Sequence, residues 1–441
     1  MSLDMFVING GNRLKGEVTV KSAKNAVLPM MCASIIPSEG EVVLRNVPNI
    51  SDIRTMISLL EYMGAKVEFN KKTGLLKIDP TEVEEKPAPY NLVRKMRASF
   101  MIMGAMLAKY GKAKVSQPGG CAIGARPVNW HLMNFERMGA IIREEHGYLE
   151  VKFPENVSGR TLYFDRPSHT GTENVMMAAV LAEGTTKIIN AATDPEVVDF
   201  ARFLTAMGAR IKGAGGPEIV IEGVNKLRAA DHTPIGDRLE AGTYLFASLI
   251  TRGSITVNGI EAENLAIPLI KMRDMGADVG TSPGKIELSM DGNPRATNFT
   301  TAVFPGFPTD LQPIAMAALT LSEGTGFIRE TIFENRFLHV MEMIRLGANI
   351  VVNADRATIT GVDRLTGAEI MASDIRAGAA LALEGLAAEG TTELLRVYHI
   401  DRGYDNFEKN LQALGADIKR VDQFDWNRSQ KALMLNLPKS S

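Results

Sequence analysis

The 441-residue chain has two cysteines, Cys32 and Cys121, far apart in sequence and too few for a disulfide framework. A reducing, cytoplasmic setting is the expectation. Long hydrophobic runs are missing too: the most apolar stretch, around Ala98 to Ala108, has about half the length a membrane-spanning helix needs. The start, Met1-Ser2-Leu3-Asp4, has no basic segment leading into an apolar one, so no signal peptide is read there. Charge of either sign is not in excess. Forty-nine Lys and Arg against 51 Asp and Glu leave a net charge of −2, which gives no bulk electrostatic reason to expect nucleic-acid binding. Neither a Walker A motif nor G-x-G-x-x-G is present, so nucleotide hydrolysis and dinucleotide redox chemistry lose support. Six scattered histidines and no C-x-x-C argue against a metal site, and no cofactor is expected.

What the chain does have is a sixfold internal repeat. Gly-Ala, preceded by a large apolar residue and followed one residue later by Ile or Val, recurs at Gly64, Gly139, Gly208, Gly276, Gly347 and Gly415. Successive gaps are 75, 69, 68, 71 and 68 residues, so one supersecondary unit has been copied six times. A second shared glycine precedes each: Gly40, Gly111, Gly184, Gly253, Gly324 and Gly390. Before it lies an Ala/Leu/Met-rich run that reads as a buried helix, such as Asn174 to Ala182 or Ile314 to Leu321. After it comes a short β-branched strand, such as Ser254-Ile255-Thr256-Val257, then a polar loop and a second helix that ends in Gly-Ala. Two more short strands follow. The unit is helix-strand-helix-strand-strand, and six of them predict a layered α/β protein with buried helices. A repeat array of this kind could also be a non-catalytic scaffold.

The copies diverge in their loops. The distance between the two shared glycines is 24, 28, 24, 23, 23 and 25 residues, so the second copy is the outlier. Its extra length is the Gly- and Pro-rich loop Ser116 to Val128, which holds Cys121 beside Arg126, the setting of a reactive thiol. The same slot elsewhere carries Asp194 and Glu196, Arg336, and Arg402. Arginine is read there at a helix start, where the dipole disfavours it, which points to an anionic ligand. A second row, 14 to 16 residues before the upstream glycine, holds Lys24, Arg97, Thr170, Arg238, Asp310 and Arg376. Two rows of helix starts rich in Arg and Lys predict a cleft for phosphates and carboxylates.

At these residues the chain resembles the enolpyruvyl transferase family, and within it the UDP-N-acetylglucosamine 1-carboxyvinyltransferases. The matching segments are Ser22 to Ala26, Met96 to Ser99, Pro118 to Val128, Asp237 to Thr243, Phe307 to Asp310, Phe333 to Phe337 and His399 to Tyr404. The resemblance implies a two-domain inverse α/β barrel, three units per domain, with helices inside and sheets outside. The implied domains are 22–234, carrying Cys121, and 1–21 plus 235–420, followed by a tail, 421–441. Trp426 either anchors that tail or belongs to a disordered end.

The implied reaction transfers the enolpyruvyl group of phosphoenolpyruvate to the 3′-hydroxyl of UDP-N-acetylglucosamine, with neither nucleic acid nor membrane as partner. Carried over by position, Cys121 resembles the proton donor, Asp310 the general base, and Lys24, Arg126 and Arg402 the phosphate clamp. Asn25, Arg97, Arg336, Asp374 and Arg376 complete the implied cleft. Arg126, Pro127, Val128, Asn129 and Trp130, with Ser168 and Ile332, belong to the implied nucleotide side. Two runs depart from the family pattern: Asn129-Trp130 stands where Asp-Leu is common, and Ser168-His169-Thr170-Gly171 where Ser-Val-Gly is usual. Rival acceptors are shikimate 3-phosphate and a different nucleotide.

Overall fold

The computed structural model describes residues 3–117 and 128–435, apart from the side chains of 430–435. The described strands form six separate sheets, five of four strands and one of three. The third unit shows the pattern. Strand Thr185–Ile189 pairs antiparallel with Glu218–Glu222, which pairs antiparallel with Arg210–Lys212, while Thr161–Tyr163 runs parallel to it on the other edge. That parallel strand is an addition to the expected unit, which becomes strand-helix-strand-helix-strand-strand. In most units it escaped sequence reading because it is only two or three residues long, as in Thr161–Tyr163, Phe299–Thr300 and Glu369–Met371, too short for a period-two pattern. In the three-stranded sheet a single parallel bridge, Ala88 to Val115, occupies the equivalent edge.

Alternate residues of the strands are buried, so each sheet turns one face inward and one to solvent. The inward faces cover two groups of central helices. Lys24–Ala33, Ile102–Tyr110 and His169–Ala179 pack on one another in one lobe, and Arg238–Ile250, Gln312–Leu319 and Ile375–Ala387 do so in the other. All thirteen residues of Arg238–Ile250 are buried, and polar side chains such as Thr243 and Tyr244 find partners inside the lobe. The buried apolar side chains fall into two clusters, one spanning Ala23 to Leu227, the other Phe6 to Val20 together with Leu239 to Ile418.

The Gly-Ala repeat is a helix stop. In every copy the glycine has φ between 95° and 105° and the alanine amide donates to the carbonyl five residues back, as in Ala209 N to Leu204 O at 3.0 Å. The glycine amide bonds three residues back, Gly208 N to Thr205 O at 2.9 Å, completing a Schellman cap. Glycine supplies the left-handed conformation, and the small apolar residue after it turns back toward the core.

The N-terminal strands cross to the second lobe. Strand Asp4–Asn9 lies between Thr391–Leu395 and Asp417–Asp422, and Lys15–Thr19 runs parallel to Ser254–Asn258. Within the first lobe, Asp231–His232 completes the sheet that begins with Val42–Leu44. The two crossings lie side by side: Ala23 N donates to Ile235 O at 2.7 Å and Asp237 N to Lys21 O at 2.9 Å. The tail forms a helix, Gln423–Leu435, and Trp426 shares a cavity lining with Val7, Thr391 and Val421, which favours the anchored reading. No helix among the described residues is long and apolar enough to cross a membrane.

Candidate active site

All six residues of the second row fall in first helical turns. Lys24 and Arg238 open their helices, Thr170 and Arg376 are second in theirs, and Arg97 and Asp310 lie in 3-10 turns that run directly into Ile102–Tyr110 and Gln312–Leu319. The other row departs from expectation. Arg336 lies in a turn ahead of the short helix Val340–Arg345, and Arg402 ends the 3-10 turn Val397–Arg402. Neither cation therefore opposes a helix dipole, because extra turns in the fifth and sixth units separate them from the helices that follow.

Two carboxylates organise the cations. Asp52, buried in the first turn of Ser51–Tyr62, sits 3.3 Å from Lys24 Nζ through one oxygen and accepts Arg402 Nε at 3.0 Å through the other. Asp310 does the same across the cleft, 2.8 Å from Arg336 Nη2 and 3.2 Å from Arg376 Nε. Arg336 also donates to Thr309 Oγ1 at 3.0 Å. The Arg376 guanidinium lies 5.0 Å from the Tyr404 ring centroid, and that tyrosine's hydroxyl is 2.8 Å from Thr243 Oγ1. Each arginine keeps a buried donor, Arg336 Nε and Arg376 Nη1, with no hydrogen-bond partner among the described residues. Buried unpaired donors beside several cations describe an anion site.

Lys24 ties the two groups together. Burial pushes its ammonium below the ordinary lysine value; Asp52 opposes this, while Arg376 and Arg402 add to it. Its backbone amide donates to Asp237 Oδ2 at 3.3 Å, and Asp237 also caps Arg238–Ile250 by accepting Leu239 N and Glu240 N. The lysine is therefore held where the chain crosses between lobes.

The remaining predicted residues are less tightly gathered. Asp374 caps Ile375–Ala387 by accepting the amides of Arg376 and Ala377, which fixes the start of that helix and with it Arg376. Ile332 donates its amide to Glu330 Oε1 at 2.8 Å, and Ser168 caps His169–Ala179 through Gly171 N. Asn25 is half-buried beside Lys24, and Arg97 lies near enough to His131 to reinforce the effect of burial, which holds that imidazole down at about 3. Val128 and Trp130 pack on the first lobe's core and Asn129 is exposed. Cys121, Arg126 and Pro127 lie outside the described residues. Asp52 was missed in the sequence, although it occupies in the first unit the slot that holds Glu196 in the third and Arg402 in the sixth.

The sequence profile of EPSP synthase (3-phosphoshikimate 1-carboxyvinyltransferase) matches residues 8–411. A UDP-N-acetylglucosamine 1-carboxyvinyltransferase 1 of Caldanaerobacter subterraneus subsp. tengcongensis is 48% identical over 94% of this chain and 99% of its own. A UDP-N-acetylglucosamine 1-carboxyvinyltransferase of Anaeromyxobacter sp. is 50% identical over 95% of this chain and 99% of its own. In fold, the chain matches the enolpyruvyl transferase NikO from Streptomyces tendae with TM-score 0.85 at 23% identity, over 96% of this chain and 99% of that one. It also matches EPSP synthase from Acinetobacter baumannii with TM-score 0.72 at 18% identity, over 95% and 100%. The six-unit inverse α/β barrel is thus shared with enolpyruvyl transferases, and the chain belongs to the EPSP synthase family, in the branch of the UDP-N-acetylglucosamine 1-carboxyvinyltransferases.

Proposed function

We propose that the cleft transfers the enolpyruvyl group of phosphoenolpyruvate to the 3′-hydroxyl of UDP-N-acetylglucosamine, the reaction named by its relatives, and releases phosphate. The observation that carries this reading is the pair of carboxylate-bridged cation sets, Lys24 and Arg402 on Asp52, Arg336 and Arg376 on Asp310. Phosphoenolpyruvate is a tri-anion, and charge shifts within it as C2 is attacked. Cations already fixed in a partly buried cleft stabilise that charge without reorganising.

In this reading the sugar hydroxyl adds to C2 while C3 takes a proton, giving a tetrahedral adduct. C3 then returns a proton and the C2–O bond to phosphate breaks. Asp310 takes the hydroxyl proton: its side chain is about a quarter exposed, and a carboxylate with two arginines on it retains lone pairs for a hydroxyl. Lys24, Arg126 and Arg402 hold the phosphate and carboxylate, and Cys121 delivers the proton to C3. Asn25, Arg97, Arg336, Asp374 and Arg376 line the rest of the cleft. Val128, Asn129, Trp130, Ser168 and Ile332, with Pro127, hold the nucleotide. The lobes act as two domains, 22–234 and 1–21 with 235–420, that close on the substrates.

The test is phosphate release from phosphoenolpyruvate with UDP-N-acetylglucosamine, shikimate 3-phosphate or another UDP-sugar as acceptor. Release confined to the first supports the proposal. Release only with one of the others overturns the acceptor assignment.

A further inference from the structure

Beside the chain crossing, five ionisable side chains from three helix starts meet in one buried cluster that the reaction above does not use. Arg238 reaches from the second lobe into the first, donating through Nε to Glu196 Oε1 at 2.9 Å and through Nη2 to Asp194 Oδ1 at 3.0 Å. His169, first residue of His169–Ala179, lies on the other side of Asp194. Its Nδ1 is 3.6 Å from the same Asp194 oxygen and its Nε2 is 3.2 Å from Glu173 Oε1. Glu173, Glu196 and Arg238 are buried, and Cys32 is the further titratable group facing Glu173.

With all three carboxylates ionised against one guanidinium the cluster would carry a double negative charge; a protonated His169 reduces it to one, and burial, which raises the Glu173 pKa to about 7, lessens the rest. His169, Asp194 and Glu196 could converge on a cation, their ligand atoms lying within 4.8 Å of one another. Arg238, however, already holds both carboxylates. Burial alone would lower the His169 pKa, but Glu173 and Asp194 outweigh it and raise the imidazole well above its ordinary value. Further contacts cross the lobes nearby: Thr193 Oγ1 donates to Phe304 O at 3.0 Å, and Arg238 lies 5.4 Å from the Phe304 ring centroid.

We propose that His169 is a positioning residue, which holds Asp194 against Arg238 and so fixes how the two lobes meet beside the cleft. It rests on the proposed function only in that the lobes must close on UDP-N-acetylglucosamine. This latch makes lobe closure sensitive to the protonation of His169, which lies beside Glu173.

The test uses the full chain with ¹⁵N-labelled histidines, the His169 signal being the one lost in His169→Gln. Without substrate, the ring is expected to titrate above the ordinary histidine value of about 6.5, and to titrate lower in Asp194→Asn. In turnover, His169→Gln lowers kcat/KM for UDP-N-acetylglucosamine roughly tenfold, the scale of one partly solvated ion pair. The same change made in Arg238→Gln costs less than about twofold, because the link to the second lobe is already cut. A His169 signal that titrates near 6.5, or equal losses in both backgrounds, overturns the proposal. The titration needs no turnover, so a chain inactive on this acceptor would refute the proposed function while the latch is still read.

Discussion

Asp52 and Arg402 stand 350 positions apart in the chain, yet Arg402 Nε donates to Asp52 Oδ1 at 3.0 Å across the lobe junction. The other Asp52 oxygen faces Lys24 Nζ. One buried carboxylate of the first lobe thus carries a cation from each lobe, and under the proposed function substrate phosphate competes with it for both. Asp310 mirrors this with Arg336 and Arg376. Without substrate the cleft parks its cations on its own acids, which limits the desolvated positive charge it would otherwise hold.

Asp52→Asn keeps the shape and removes the charge. Asp52 is the largest influence that raises the Lys24 pKa against burial, so the variant's lysine loses its proton at lower pH. The form that binds phosphate is the protonated one, present below that pKa and lost as pH rises through it. The alkaline limb of kcat/KM is therefore expected at lower pH in Asp52→Asn than in the parent. An unshifted limb in a pH–rate profile with phosphoenolpyruvate varied would remove Asp52 from this role.

Asp310→Asn is expected to lower kcat by roughly 10²–10⁴-fold, the usual contribution of a positioned acid or base. Binding of UDP-N-acetylglucosamine, followed by calorimetry, should fall far less than kcat, because the amide oxygen still accepts from one of the two arginines. Near-normal kcat would show that another group takes the hydroxyl proton.

The helix stops make a separable prediction about stability. Gly208 has φ of 105°, and a β-carbon at that position would have no atom within 4 Å, so Gly208→Ala meets only backbone strain, about 1 kcal/mol. Gly64 has nearly the same φ, but a β-carbon there would lie 2.3 Å from Glu82 O. Gly64→Ala should therefore cost clearly more than Gly208→Ala. Urea unfolding of the two variants measures the difference, and equal costs would mean that the Glu82 backbone yields.

Much of this was legible in the sequence because the repeat aligned the chain with itself. The Gly-Ala spacing located six helix ends, and the slot before the upstream glycine located Lys24, Arg97, Arg238, Asp310 and Arg376. Other features were hidden for physical reasons. The parallel edge strands are too short to show alternation, and Asp231–His232 and Lys15–Thr19 pair with partners far away in sequence. Asp52 reads as an ordinary first-turn acid until the fold brings Arg402 onto it. Asp194 and Glu196 stand at a helix start, where acids commonly cap, yet Asp194 makes no side-chain cap and both hold Arg238 instead. Side chains that act on the opposite lobe leave no local pattern.

The two cysteines give the last prediction. Cys32 is fully buried in Lys24–Ala33, its Sγ 3.7 Å from Met56 Sδ, and burial pushes its thiol far above the ordinary cysteine value. A thiol without access or thiolate character does not attack electrophiles. Cys121 stands in the Gly-rich loop beside Arg126 in sequence, where a cation favours thiolate, and its proposed role brings its sulfur to C3 of phosphoenolpyruvate. The epoxide fosfomycin, a small phosphonate that suits the same cations, should therefore add once per chain, at Cys121. Intact-mass and peptide mass spectra check this, with Cys32 as the internal control. An adduct on Cys32, or none on Cys121 while the enzyme turns over, would sink the assignment of Cys121 as proton donor. Prior addition of UDP-N-acetylglucosamine should speed the reaction if lobe closure brings the loop to the cations, and an unchanged rate would separate thiol reactivity from closure.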